Sequence, residues 1–139
     1  MAEPGGPNPT EIKLHRASRI LEITFADGEV FKLPCELLRV YSPSAEVRGH
    51  GPGQEILQVG KGEVGIDAIE PVGTYAVKLV FSDGHDTGLY TWSYLHELGR
   101  NQGSLWQTYV DRLKQAGASR DATAAPRASG AGAIAWKKL

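Results

Sequence analysis

Twice in this chain a β-prone run ends on phenylalanine, followed after one residue by Asp-Gly and then by more β-prone sequence. The first copy is ILEITF at 20–25, then Asp27-Gly28, then EVFKL at 29–33. The second is YAVKLVF at 75–81, then Ser82-Asp83-Gly84, with the chain resuming from Thr87 to Trp92. Glycine accepts the positive φ that a tight turn demands, so Asp-Gly between β-branched and aromatic runs is the strongest short hairpin signal. The copies align as I-T-F-A-D-G and L-V-F-S-D-G, which predicts two similar hairpins in one sheet. Duplication and convergence on good turn chemistry explain the likeness equally, and two copies do not make a solenoid.

Other segments fill in around the hairpins. VGIDAIE at 64–70 alternates apolar and polar residues and reads as a further strand. Pro34 suits the first turn of a short helix, CELLRV. Ser93 is placed to cap SYLHELGR, with Glu97 within reach of its first turns, and Ser104 to cap LWQTYVDRLKQAG. In the latter, Leu105, Tyr109, Val110, Leu113 and Ala116 recur at helical spacing and Gly117 stops the helix. The class predicted is α+β: a small, mostly antiparallel sheet built around two Asp-Gly hairpins, with short helices and one C-terminal helix.

The ends differ in composition from this body. Residues 1–10 hold three prolines and two glycines and are expected to be disordered. Residues 11–116 form the domain, and 117–139 an Ala/Gly/Ser-rich flexible tail carrying Ile134 and Trp136. Net charge is −1, split as +3 on the tail and −4 elsewhere. No basic stripe with interleaved aromatics occurs in the body, which argues against nucleic acid. No run of about 18 apolar residues spans a membrane, and the N-terminus lacks the basic and apolar regions of a signal peptide. Cys35 is the one cysteine, so a Cys-rich metal site or internal disulfide is excluded within one chain. These features together predict a cytoplasmic protein.

Catalytic signatures fail in turn. Between Arg48 and Gly62, six residues rather than four separate Gly53 from Gly60, and Gly62 stands where a phosphate loop needs Ser or Thr. The histidines His15, His50, His85 and His96 form no HExxH pattern, and Asp86 follows His85 directly, so the HxD pattern of non-haem iron dioxygenases is absent. No serine lies in a GxSxG elbow. Cys35, at a predicted helix start, has a helix dipole to lower its pKa, but a small buried cysteine is the commoner case.

Two stretches stand apart as polar. LRVYSPSAEVRGH, Leu38 to His50, contributes Arg39, Glu46, Arg48 and His50. The second hairpin and its exit contribute Asp83, His85, Trp92 and Tyr94. If they meet, they make one polar face with aromatic walls; a satisfied hydrogen-bond network accounts for the same residues equally well.

FKLPCELLRVYSPSAEVRGH followed by FSDGHDTGLYTWSYLHELGRNQ resembles the gamma-butyrobetaine hydroxylase-like N-terminal domain family, across roughly residues 11 to 121. Stand-alone bacterial members of that family are domains of unknown function. The resemblance implies an accessory domain: in the hydroxylases it precedes a separate iron- and 2-oxoglutarate-binding domain, and elsewhere it is fused to iron–sulfur carrier ATPases. No catalytic domain follows here, so a non-enzyme is expected. In the hydroxylases the domain holds a structural zinc through three cysteines and a histidine. Those positions fall here on Ser42, Ser44, Val47 and His85, so His85 alone is retained and no structural zinc is expected.

The leading expectation is therefore a non-catalytic interaction domain with a protein partner and no cofactor, linked by family analogy to iron–sulfur or metal-enzyme biogenesis. Its face is Arg39, Ser42, Ser44, Glu46, Arg48, His50, Asp83, His85 and Trp92, with the arginines pairing carboxylates or phosphate and Trp92 as apolar anchor. One alternative is an iron or zinc carrier using His85, His50, Asp83, Asp86 and Cys35. Another is a binder of a trimethylammonium ligand, using Tyr90, Trp92 and Tyr94 as an aromatic cage on one strand face.

Overall fold

The computed structural model describes residues 7–49 and 56–121. The order is β1 (Pro9–His15), β2 (Ile20–Phe25), β3 (Val30–Pro34), α1 (Cys35–Val40), α2 (Ala45–Arg48), β4 (Ile66–Val72), β5 (Ala76–Phe81), β6 (Leu89–Thr91), α3 (Trp92–Arg100) and α4 (Gln102–Ala116). The class is α+β as predicted, but the hairpins sit in two sheets. β1-β2-β3 and β4-β5-β6 are separate three-stranded sheets, and every pairing is antiparallel.

Strand alternation explains the arrangement. Leu21, Ile23 and Phe25 of β2 and Val77, Leu79 and Phe81 of β5 turn to the inside. They meet Leu37 and Leu38 of α1 and Leu95 and Leu98 of α3 in one core. Both Asp-Gly turns form as expected: Gly28 has φ 93° and Gly84 φ 92°. α1 has six residues, too few to hold as an isolated helix; all six are buried, so packing holds it. α4 lays Tyr109 and Leu113 on a smaller cluster with Val40 and Leu57.

Several boundaries move. Pro9 and Thr10, expected in the disordered end, open β1. The β1–β2 turn runs through Arg19 at φ 56°, a left-handed position without the usual glycine or asparagine. Pro34 is the extended residue before α1 rather than its first turn. Thr91, not Ser93, caps α3, its Oγ1 accepting from the Tyr94 N–H at 3.1 Å. α4 starts before Ser104, whose hydroxyl donates to the Asn101 carbonyl. Gly117 ends α4 in the left-handed conformation, as expected. Ile134, Trp136 and the rest of 122–139 lie outside the described residues.

Candidate functional site

The second Asp-Gly turn is tied to the segment after α1. Asp83 Oδ1 accepts the His85 N–H at 3.2 Å, which folds the turn over itself and aims the imidazole inward. Arg39, on α1, donates from Nε to Asp83 Oδ2 at 2.9 Å, and Lys61 Nζ reaches the same oxygen at 2.6 Å. His85 Nε2 lies 2.8 Å from Ser42 Oγ, and its Nδ1 lies 3.2 Å from Glu46 Oε1. Ser42 Oγ also accepts the Ser44 N–H at 3.2 Å. Ser44 Oγ meets Thr87 Oγ1 at 2.7 Å and accepts the Glu46 N–H at 3.1 Å, capping α2. An Nδ1–H imidazole satisfies these partners: the Ser42 hydroxyl donates to Nε2 and Nδ1–H donates to Glu46. Arg39 Nη1 is buried with no acceptor among the described residues.

The predicted face is thus brought together at Arg39, Ser42, Ser44, Glu46, Asp83 and His85. Arg48, on α2 with Glu46, turns instead to α3, its guanidinium 5.2 Å from the centre of the Tyr94 ring. Trp92 does not join. Its indole N–H donates to the Thr74 carbonyl, at the β4–β5 end of β5, whereas His85 follows the opposite end. His50 lies outside the described residues. The predicted aromatic strand face is not formed either: β6 ends at Thr91, so Trp92 and Tyr94 stand on α3. Tyr90 is fully buried and donates to the Leu38 carbonyl. Cys35 is fully buried, and burial pushes its thiol up to about 11; it is a core residue.

Ser42, His85 and Glu46 have the connectivity of a serine-hydrolase triad, but not its exposure. Ser42 is 1% exposed. A Cβ on Gly88 would stand 2.4 Å from its Oγ, so the Gly88 backbone covers the hydroxyl closely. Nor do the residues aligned with a zinc site suit the metal. Ser42 and Ser44 offer hydroxyls already committed to hydrogen bonds, and Val47 offers no donor. Sequence reasoning missed Lys61, read as part of a failed phosphate loop, and missed Thr87 and Gly88. Only three-dimensional contact marks these three.

The network sets a pH dependence. Burial alone would raise the Asp83 carboxyl, but hydrogen bonds from Lys61 and the His85 N–H, with the charge of Arg39, hold it at about 2. Burial, then the Arg39 charge, push the His85 imidazole below its ordinary value. Both groups are depressed in the fold, so both stabilise above their unfolded values and lose that contribution as pH falls. His85→Gln is expected to flatten the loss of stability below about pH 6.5. Asp83→Asn is expected to flatten a further loss between about pH 4 and pH 2, worth roughly 1–2 kcal/mol after screening. Denaturant titrations at neutral, mildly acid and strongly acid pH check both; variants that track the wild-type slope contradict this account.

A family model described as gamma-butyrobetaine hydroxylase-like, N-terminal, matches residues 12–96. Two solution NMR structures are similar. One is 56% identical, with TM-score 0.74, over 87% of this chain and 90% of that one. The other is 49% identical, with TM-score 0.74, over 85% of this chain and 93% of that one. A crystal structure of a DUF971-family protein of unknown function from Acidithiobacillus ferrooxidans is 39% identical, with TM-score 0.52, over 66% of this chain and 92% of that one. No curated protein matches the chain.

Proposed function

This chain belongs to the gamma-butyrobetaine hydroxylase-like N-terminal family, and on that premise we propose that it is a non-catalytic interaction domain that binds a partner protein. The observation that carries this reading is a charged rim over a closed polar network. Glu46 has 65% of its side chain exposed; Arg48, two residues further along α2, and Asp86 and Thr87, which follow His85 in the chain, are exposed as well. Beneath them Ser42, Ser44 and His85 are buried and committed to one another. Such a base fixes the rim rigidly, and opposed charges on a rigid rim give orientation and partner choice.

Iron–sulfur or metal-enzyme assembly factors are the partner class to try first, because similar domains are fused to iron–sulfur carrier ATPases. The proposed compartment is the cytoplasm; one buried cysteine suits it, and no helix among the described residues is long and apolar enough to cross a membrane.

Two measurements test the reading. A fluorophosphonate probe is expected to leave Ser42 unlabelled, because the hydroxyl is covered; labelling lost in Ser42→Ala would overturn the non-catalytic half. The doubly charge-reversed Glu46→Lys, Arg48→Glu protein is expected to bind a purified assembly factor at least about tenfold more weakly than wild type. Equal affinity would remove this rim from the interface.

A further inference from the structure

The chain is built twice, and the two copies differ where their turns meet the opposite helix. In β2–β3 Leu21 pairs with Leu33, and in β5–β6 Val77 pairs with Tyr90. The turns carry the same backbone bonds. Phe25 N–H donates to the Glu29 carbonyl at 2.8 Å and Phe81 N–H to the His85 carbonyl at 2.9 Å. Glu29 N–H donates to Asp27 Oδ1 at 2.9 Å and His85 N–H to Asp83 Oδ1 at 3.2 Å. A helix begins directly after each third strand, and the fifth residues of these helices are Arg39 and His96. Each crosses to the turn of the other half: Arg39 to Asp83, and His96 to Asp27 and Glu29.

The charges at the two crossings are not alike. At the second turn one carboxylate, Asp83, meets two cations, Arg39 and Lys61. At the first turn two carboxylates converge on one imidazole. His96 Nε2 lies 3.0 Å from Glu29 Oε2 and 3.7 Å from Asp27 Oδ2, and the three donor atoms lie within 4.8 Å of one another. Arg100 pairs with Glu29 from a more distant 3.6 Å, with 62% of its side chain exposed. The His96 ring is held edge-on by Phe25 at 4.9 Å and by Phe31 at 5.4 Å. Phe31 in turn is fixed against Gly99, where a Cβ would fall 2.4 Å from the ring. The bond from Glu29 N–H also holds the Asp27 carboxyl below its ordinary range.

We infer that Asp27, Glu29 and His96 form a binding site for one divalent transition-metal ion of the zinc and cobalt class. One imidazole and two carboxylates suit such borderline ions. Metal bonds of about 2.0–2.2 Å put neighbouring ligands about 3.0–3.5 Å apart; His96 Nε2 already stands near that spacing from both carboxylates, which lie within 4.8 Å of each other and must draw together to close the site. Three ligands leave positions open for water or a partner's side chain. The site lies apart from the Ser42–His85 network, and its case is independent of the interaction reading.

The test is titration of the untagged full chain with cobalt(II) chloride, followed by visible absorption and by paramagnetic broadening in nitrogen-15 spectra. One equivalent is expected to bind and to broaden residues near 27–29 and 96. The double variant Asp27→Asn, Glu29→Gln keeps an acceptor for the residue-29 N–H and the size of both side chains, and its fold is checked by its nitrogen-15 spectrum. It is expected to bind at least about 100-fold more weakly, a loss beyond that of an outer partner; His96→Gln should do the same, and His15→Gln should bind as wild type. No stoichiometric binding at millimolar cobalt, or binding that survives the double variant in a folded protein, overturns the site.

Discussion

Gly88→Ala is expected to lower the unfolding free energy by about 3 kcal/mol, near the upper end of what one inserted methyl costs in a packed site. The added Cβ would stand 2.4 Å from Ser42 Oγ, 3.1 Å from Pro43 Cδ and 3.4 Å from a Tyr90 ring carbon. Ser42 has no easy retreat, because its Oγ already holds His85 Nε2 and the Ser44 N–H. Moving it would break the network that joins the two halves. In guanidinium denaturation the midpoint should fall with an unchanged slope. Ser42→Ala in the same protein removes the clashing oxygen, so the double variant should show a favourable coupling of about 1 kcal/mol or more. A single variant within about 0.5 kcal/mol of wild type would show that this contact is loose.

This close approach was not legible from sequence, whereas the hairpin that contains it was. Phe-x-Asp-Gly announces itself locally, because turn chemistry and strand alternation are short-range properties. α1 and the end of α4 were legible for the same reason. β1 was not, since its turn uses Arg19 at positive φ, where no glycine or asparagine marks the reversal. The split into two sheets was equally hidden: nothing in a strand's own residues says which neighbour it pairs with beyond its hairpin. At the site, Ser42, Ser44 and His85 were placed through the resemblance. Trp92 was misplaced because β6 stops at Thr91, which turns a supposed strand residue into the first residue of a helix.

The doubled plan gives that mixture a physical reason. Strand and turn residues must satisfy the same backbone in both copies, so they stay alike and readable. Residues that cross between copies answer to different partners and so diverge. Arg39 faces Asp83 while its counterpart His96 faces Asp27 and Glu29. The tight Ser42–Gly88 approach has a counterpart at Gly99 and Phe31 with the sizes exchanged. The chemistry of this fold therefore lies in its crossings, where single-sequence pattern reading has least purchase.

Arg120→Ala carries the other large effect, an expected loss of about 2–3 kcal/mol after allowing for water at its exposed side. Glu36, the second residue of α1, has only 6% of its side chain exposed. Its carboxylate accepts from the Tyr109 hydroxyl at 2.6 Å, from Arg120 Nε at 2.7 Å and from Arg120 Nη2 at 2.8 Å. The Arg120 guanidinium also lies 5.1 Å from the centre of the Trp106 ring. Backbone bonds seat the segment, with Gly60 N–H on the Ser119 carbonyl at 2.8 Å and Gly62 N–H on the Arg120 carbonyl at 2.7 Å. Composition had placed residues 117–121 in a flexible tail, because nothing local shows that a buried carboxylate 84 positions earlier waits for this guanidinium. Without it Glu36 keeps one hydroxyl partner in a buried place, the costly half of an ion pair. Arg120→Lys keeps the charge but not the planar fork and should lose roughly half as much. Glu36→Gln combined with Arg120→Ala should lose less than the sum of the two single changes, since no carboxylate is then stranded. Denaturation of the four proteins decides it: strict additivity, or an Arg120→Ala protein as stable as wild type, would mean that the segment merely rests on the body.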